Sequence, residues 1–216
     1  MDHLTAFAIA VAALLLPAAH ARGQWEVRAM GGPGLSRINT RMHMALGRDE
    51  AQAVHHRFSW LLGATATHPI TDKLAFGTGL CFSAFNGNNE LWIRGNLAQE
   101  QQHRLQYMYL PLMVHFRWQG VHAGAGYQFG VPVGCTITYT SHNGWMGMAD
   151  QQFSTHDQAL LRADMGVVAE AGYDPGKKIG AGLRYSRGLA DIRDHSDGLI
   201  DPLYTEQLVL VLSYRL

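Results

Sequence analysis

The chain has 216 residues, of which 24 are glycine and 2 are cysteine, and its formal net charge is zero. Charged residues make up 16% of the chain, well below the roughly 25% that is usual in soluble domains. A neutral chain does not fit a protein that binds nucleic acid through its charge, so we expect no nucleic-acid partner. Two cysteines are too few for a disulfide framework.

The longest apolar run lies at the start of the chain. Residues 4–19 are almost wholly apolar, and the triplet 19–21 (Ala-His-Ala) has the pattern of a signal-peptidase site. We therefore predict a cleaved secretory signal peptide at 1–21 and a single mature domain at 22–216. The competing interpretation is an uncleaved anchor, because Asp2 stands where Lys or Arg is usual. The run is shorter, however, than the ~20 residues that a spanning helix needs.

Eight segments of the mature chain alternate apolar residues with polar or small ones, a pattern typical of β-strands with two different faces. Most of them reach the length of about 9–11 residues with which a tilted strand crosses a bilayer. On this alternation Cys81 and Cys135 point to opposite faces, so we expect no bridge between them. The segments are 25–38, 57–70, 74–86, 105–118, 121–138, 158–173, 178–192 and 204–216.

The last segment shows the alternation most clearly. Leu208, Leu210 and Leu212 share one face, and Gln207 and Val209 share the other. Along the predicted strands the apolar faces are long and uniform, whereas the opposite faces are rich in glycine, which suits the interior of a narrow barrel. An apolar outside and a polar inside are the arrangement of a transmembrane β-barrel.

Short and long connections alternate strictly along the chain. The short ones carry the Gly, Pro or Asp that turns require, and they are 71–73, 119–120 and 174–177. The long, polar ones lie at about 39–56, 87–104, 139–157 and 193–203. Short periplasmic turns and longer outer loops are typical of outer-membrane barrels. We therefore predict an all-β fold, an eight-stranded antiparallel up-and-down transmembrane β-barrel after a cleaved signal peptide, in the bacterial outer membrane.

Three short motifs and the end of the chain resemble one protein family. The motifs are Gly31–Ser36 (GGPGLS), Tyr109–Leu112 (YLPL) and Arg184–Leu189 (RYSRGL), and the terminal segment is Leu212–Leu216 (LSYRL). Together they make the mature chain similar to the PorT-like outer-membrane β-barrel proteins of Bacteroidota. The resemblance implies the barrel fold, the outer membrane, and a last strand that the barrel-assembly machinery recognises. We do not extend it to a role in type IX secretion.

Several charged residues fall on the inward faces of the predicted strands. Because an unpaired charge in a narrow lumen is costly, these residues should pair with one another. Such a network would fill the barrel and fix its register. The alternative is a selective pore, for which eight strands leave little room. The predicted lumen network comprises Arg117, Arg162, Asp164, Glu170, Arg184 and Arg215.

The predicted outer loops carry the candidate contact residues. Trp145, Met146 and Met148 either contact a partner, such as a protein or lipopolysaccharide, or fold back over the barrel mouth. Many of the 12 histidines also fall in these loops, but without the spacing of a defined metal site, so we predict no metal and no cofactor. Ser141 and His142 are adjacent and would point to opposite faces of a strand, and no G-x-S-x-G motif is present, so we predict no enzyme.

These features favour a scaffold or binding protein that contacts outer-membrane lipid and meets its partners through its outer loops. Three alternatives remain: a narrow porin-like channel, an outer-membrane lipid hydrolase, and a soluble carrier of a lipophilic ligand. Pairing of the inward charges distinguishes the scaffold from the channel. The direction of the apolar faces distinguishes both from the soluble carrier, and a hydrolase requires a loop Ser and His within hydrogen-bond reach.

Overall fold

The computed structural model describes residues 25–40, 50–142, 151–155, 162–176, 178–192 and 202–216, and the predicted signal peptide lies outside these ranges. No helix within them is long and apolar enough to cross a membrane. The strands, in chain order, are β1 (Glu26–Thr40), β2 (Glu50–Pro69), β3 (Leu74–Ile93), β4 (Asn96–Trp118), β5 (Val121–Ser141), β6 (Gln151–Thr155), β7 (Asp164–Tyr173), β8 (Ile179–Gly188) and β9 (Leu203–Arg215).

Eight of these strands close into a ring. Neighbouring strands pair antiparallel from β1 to β5, β5 pairs with β7, and the pairing of β1 with β9 completes the circle. β6 is a short strand that pairs with the far end of β5, at Ile137–Ser141. The predicted eight-stranded antiparallel up-and-down barrel is therefore confirmed.

The two faces of the barrel wall differ as the alternation predicts. On β9 the outward residues Leu208, Leu210 and Leu212 are 47%, 50% and 58% exposed, whereas the inward residues Gln207 and Val209 are buried. A soluble carrier of a lipophilic ligand would bury its leucines around the ligand. The direction of the apolar faces excludes that alternative.

The outward face carries an apolar belt of membrane height. On β4 the belt runs from Met108 to Trp118, and Val114 and Phe116 within it are exposed. About ten residue steps of 3.3 Å each, on a strand tilted by 40°, span roughly 25 Å. This span matches the height of the apolar band of outer-membrane barrels.

Short turns join the strands at one end of the barrel, which we call the short-turn end. The β4–β5 turn is Gln119-Gly120, as predicted, and its φ angles are 48° and 85°. Positive φ at both central residues is characteristic of a type I′ turn, whose twist matches that of the two strands. The connections 70–73 and 174–178 lie at the same end. We call the opposite end the outer end.

The predicted long loop at 87–104 is wrong, because β3 and β4 continue through it. They meet in a second two-residue turn, Arg94-Gly95, with φ angles of 50° and 78°. β2 likewise begins inside the loop predicted at 39–56. The extensions are rich in polar residues, so the apolar alternation that reveals a strand is weak there. We call this part of the barrel the outer sheet; it comprises 50–56, 87–103, 137–141 and 151–155.

Within the described residues, the barrel wall is lower on the side of β7 and β8 than on the side of β3 and β4. β5 pairs with β7 only as far as Gly130, which faces Asp164, the first residue of β7. With β4, in contrast, β5 pairs from Trp118 up to Gln99. β7 therefore starts later than the predicted residue 158, and β8 ends at Gly188 instead of 192.

Both cysteines are free and buried in the same cluster inside the barrel, so the prediction of opposite faces is wrong. A bulge between β4 and β5 explains the difference. Tyr107 pairs with Pro132 but Gln106 pairs with Gly134, so β5 has an additional residue at this point. One additional residue inverts the alternation beyond it, and Cys135 turns inward.

Candidate functional site

The half of the lumen toward the short-turn end holds a continuous network of charged side chains. Its members come from β1, β4, β5, β7, β8 and β9 and from the connection after β7, so the network joins most of the wall. We call it the lumen network: Glu26, Arg28, Arg117, His122, Glu170, Asp174, Arg184 and Arg215.

Glu26 is the centre of one half of this network. Its carboxylate lies 2.5 Å from Arg28 Nε, 3.1 Å from Arg117 Nη1 and 3.8 Å from Arg215 Nη1. Arg117 also donates a hydrogen bond to the hydroxyl of Thr67 at 2.8 Å. One carboxylate on β1 thereby connects to β4 and β9 and, through Arg117, to β2.

The other half of the network leads from Arg28 across the lumen to Arg184. Arg28 Nη1 donates to Asp174 Oδ1 at 2.7 Å. The ring nitrogens of His122 lie 3.5 Å from Asp174 and 3.5 Å from Glu170. Glu170 Oε2 in turn lies 3.5 Å from Arg184 Nη1. Basic and acidic groups alternate along this path, so each charge faces an opposite charge or the imidazole.

Arg184 is the most deeply buried cation of the network, at 2% exposure. Its Nε and Nη2 have no hydrogen-bond partner among the described residues. A cavity of about 20 Å³ beside it, lined also by Glu170 and His115, is large enough for a single water molecule. Since a charge taken out of water is costly unless it is paired, Glu170 is the residue that allows Arg184 to be buried.

Closer to the outer end, hydroxyl groups instead of cations bind the buried carboxylate of Asp164. Tyr109 Oη donates to Asp164 Oδ2 at 2.6 Å, and Thr205 Oγ1 donates to the same oxygen at 2.8 Å. Nearby, the Ser83 hydroxyl donates to Gln207 Oε1 at 2.7 Å. These hydrogen bonds connect β4 with β7 and β3 with β9 through the interior of the barrel.

Inward-facing glycines leave room for the large side chains of β4. The ring of His115 lies between Gly77 on β3 and Gly124 on β5, and a Cβ on either glycine would stand 2.5 Å from a ring nitrogen. Gly130 faces the ring of Tyr109 in the same way. The glycines on β3 and β5 therefore determine how large a side chain β4 can turn into the lumen.

The cavities found between these side chains are small. Two cavities inside the described part of the lumen have volumes of about 40 and 20 Å³. A cavity can hold a water molecule once about 10–15 Å³ of it is open to water. The two cavities therefore have room for a few waters and for one water, whereas a conducting path needs a continuous file of them.

The structure brings some of the predicted lumen residues together and separates others. Arg117, Glu170 and Arg184 belong to the lumen network, and the half-exposed Arg215 joins it at the short-turn end. Asp164 is inside the barrel but binds the hydroxyls of Tyr109 and Thr205 near the outer end, a group that we call the hydroxyl cluster. The inward charges are thus divided between two levels of the lumen.

Arg162 does not lie on β7. It precedes β7 by two residues, and its side chain is exposed, so its assignment to an inward strand face is wrong. The reason is the late start of β7, which leaves residue 162 in the connection. Trp145, Met146 and Met148, the predicted loop contacts, lie outside the described residues.

Four members of the lumen network were missed at the level of the sequence: Glu26, Arg28, His122 and Asp174. A signal for three of them was present. Glu26 and Arg28 alternate with outward Val27 at the start of β1, and His122 lies on the glycine-rich inward face of β5. Asp174 has no such signal, because it lies in a turn and reaches the lumen from beyond the end of its strand.

The described ranges contain no group of three or more His, Cys, Asp or Glu side chains placed to hold a metal ion. His55 and His103 lie in strands of the outer sheet and not, as predicted, in loops. His55 Nε2 is 3.3 Å from Glu90, and His142 Nε2 is 4.0 Å from Glu100. His55 and His142 therefore each lie beside a single carboxylate of the outer sheet.

Comparison with known proteins gives one family and several solved structures. The model of a family described as outer membrane protein beta-barrel domain matches residues 19–194. No curated protein matches the chain in sequence. Similar structures include Ail of Yersinia pestis, at 12% identity and a TM-score of 0.44 over 90% of this chain and 100% of that one. OprG of Pseudomonas aeruginosa has 13% identity and a TM-score of 0.47, over 90% and 96% of the two chains.

Proposed function

The chain belongs to the family of outer membrane protein β-barrel domains, and we propose that it acts in the bacterial outer membrane as a scaffold or binding protein with a filled lumen. Its partners, a protein or lipopolysaccharide, meet it at the outer loops and the outer sheet. The single observation that carries this proposal is the lumen network, in which paired charges connect strands on opposite sides of the barrel.

The lumen network favours a filled barrel over a channel. A selective pore needs charged groups that face water and ions. Here Glu26 lies 2.5 Å from Arg28 and Glu170 lies 3.5 Å from Arg184, and Asp174 and His122 connect these two pairs. At the next level of the lumen, the hydroxyls of Tyr109 and Thr205 bind the buried Asp164 carboxylate. A barrel with such a filled interior is a rigid support for the outer sheet and the outer loops.

The outer sheet supports a role in binding. It extends the wall well beyond the membrane belt on the side of β2 to β5, and it contains buried polar atoms without hydrogen-bond partners in the described residues. These include Asn88 Oδ1, both side-chain polar atoms of Asn89, and Gln101 Oε1. Buried polar atoms are normally satisfied, so unsatisfied ones in a native protein favour a site that water or a partner completes.

The finer assignments belong to the same proposal. The motifs Gly31–Ser36, Tyr109–Leu112 and Arg184–Leu189 lie on β1, β4 and the end of β8, and they support a PorT-like barrel. The terminal strand β9 pairs with β1 and supports recognition by the barrel-assembly machinery. A cleaved signal peptide at 1–21 provides the export that such a barrel requires. We propose no catalytic role.

Single-channel recording tests the filled lumen. The mature protein is refolded into detergent, checked for a folded band that migrates faster before boiling than after it, and added to a planar bilayer beside a general porin as a positive control. A scaffold gives no steady conductance under conditions in which the porin conducts. Steady, voltage-independent conductance of the folded protein would overturn the filled lumen and favour the porin-like alternative.

A further inference from the structure

A pocket of about 390 Å³ opens on the outward surface of the barrel, just beyond the apolar belt. Its size lies within the range of pockets that bind small ligands, about 300–1,000 Å³. It lies where β2, β3 and β4 leave the belt toward the outer end. Its lining includes Arg57, Phe58, Asn86, Gln102 and Arg104.

The pocket exists because β2 separates locally from β3. The ladder between these strands is interrupted between His56 and Trp60. Side-chain hydrogen bonds replace the missing part of the ladder. The Ser36 hydroxyl, from β1, donates to the Asn86 carbonyl and accepts from the Asn86 N–H, both at 2.8 Å, and Asn86 Nδ2 donates to the Phe58 carbonyl at 2.6 Å. These hydrogen bonds fix the shape of the bulge, so the pocket is a defined feature of the barrel wall.

The two arginines of the pocket carry uncompensated charge. Neither Arg57 nor Arg104 has an ion pair with a described residue. The ladder neighbours of Arg104 are Asn86 and Thr136, which are both uncharged. Elsewhere beyond the belt, by contrast, Arg37 is neutralised by Glu206 at 2.6 Å. The pocket is therefore a local concentration of positive charge with amide groups beside it.

The pocket lies at the depth of the lipid headgroups. Trp60 and Phe82 stack on the outward face with ring centroids 5.3 Å apart, and Phe58, at 62% exposure, lies between them and Arg57. Arg104 stands four positions before Met108, where the belt of β4 begins. At about 3.3 Å per residue this places Arg104 within the polar layer that flanks the hydrocarbon core.

We propose that this pocket binds a phosphate group of lipid A, the phosphorylated glycolipid headgroup in the outer leaflet. Guanidinium groups bind phosphate through paired, charge-assisted hydrogen bonds, and two of them facing one pocket match a phosphomonoester. Phe58 supplies an apolar contact for the first carbons of an acyl chain. This proposal rests on the proposed scaffold function and names a ligand for the outward surface. It assumes, as that function does, that the outer end of the barrel faces the outside of the cell.

The test is binding of fluorescent diphosphoryl lipid A to the full mature protein in detergent micelles at physiological salt. We expect Arg57→Gln together with Arg104→Gln to weaken binding about tenfold or more, the equivalent of losing about one strong hydrogen bond. Arg187→Gln is the matched control, because Arg187 is an exposed arginine beyond the belt that faces Glu206. It should bind as the wild type does.

Three results would overturn the proposal. Equal losses in the double variant and in Arg187→Gln would reveal general attraction by charge. Equal binding of dephosphorylated lipid A would remove the role of the phosphate. Displacement by millimolar inorganic phosphate would make free phosphate, and not the lipid, the ligand. A failure of the scaffold function is distinguishable, since it appears as conductance of the folded protein whatever the double variant binds.

Discussion

Glu170 on β7 and Arg184 on β8 are direct partners in the antiparallel ladder, and their side chains meet inside the barrel with Oε2 and Nη1 3.5 Å apart. The Arg184 side chain is 2% exposed and that of Glu170 14%. A shift of one residue between these strands would turn one of the two charges toward lipid. The pair therefore fixes the register of β7 against β8.

Replacing one member of this pair should destabilise the barrel strongly. Arg184→Met leaves Glu170 in the lumen without its cation, and removing one partner of a buried pair typically costs about 3–5 kcal/mol. The double variant Glu170→Gln with Arg184→Met should recover most of that free energy of unfolding, because it leaves no lone charge. Urea unfolding in lipid vesicles, followed by tryptophan fluorescence, measures both. Equal losses in the single and the double variant would contradict the pairing.

Packing between β4 and β5 should respond to a single added side chain. Gly124→Val places a Cβ against the ring of His115, and overpacking of this kind costs about 1–3 kcal/mol. Combining it with His115→Ala should restore most of the lost stability. Gly176→Val is the control, because a Cβ at Gly176 meets nothing within 4 Å. If Gly124→Val unfolds at the same urea concentration as the control, the contact with His115 does not exist.

A charge on the outward face should impair insertion according to its depth. Leu210 is 50% exposed within the belt, so Leu210→Arg should cost roughly 2–4 kcal/mol if it lies near the midplane. Leu208→Arg should cost less free energy, because Leu208 lies two residues closer to Glu206 and to the edge of the belt. Refolding yields into vesicles and urea midpoints give both values. A Leu210→Arg protein that refolds as well as the wild type would show that this face does not meet lipid.

The alternation along β4, β9 and the part of β5 before its bulge was enough to predict which residues face outward, because a strand that crosses a membrane exposes each face to a different medium. The same rule gives no signal in the outer sheet. Leu91 and Ile93 there stand among Asn, Glu and Gln residues, and the turn Arg94-Gly95 looked like part of a loop. The signal for this turn was Gly95, because a glycine after a run of β-forming residues is typical of a hairpin.

The lumen network could be predicted in kind but not in detail. Alternation tells which side chains point inward, and pairing of inward charges follows from the cost of leaving them alone. It does not tell the height of each residue in the barrel, which depends on strand stagger and bulges. For this reason Asp164 was grouped with the arginines although it binds Tyr109 and Thr205, and Arg162 was placed in a strand that begins after it.

The thiols should be protected from reagents on both sides of the wall. Cys81 and Cys135 are 1% and 6% exposed in the interior cluster. In folded protein in vesicles, both a water-soluble and a lipid-soluble maleimide should therefore label them much more slowly than after unfolding in denaturant. Fast labelling by the lipid-soluble reagent alone would put a cysteine on the outward face and contradict the bulge in β5.

Closure of the ring between β1 and β9 is the central claim, and a disulfide across it is the most direct measurement. Leu35 and Leu208 are ladder partners on the outward face. Cα atoms of such partners lie about 4.5–5.5 Å apart, within disulfide range. Leu35→Cys with Leu208→Cys, in a background of Cys81→Ser and Cys135→Ser, should cross-link on mild oxidation of the folded protein. The off-register pair Leu35→Cys with Leu212→Cys should not. Cross-linking of neither pair, or of both equally, would contradict a barrel closed in this register.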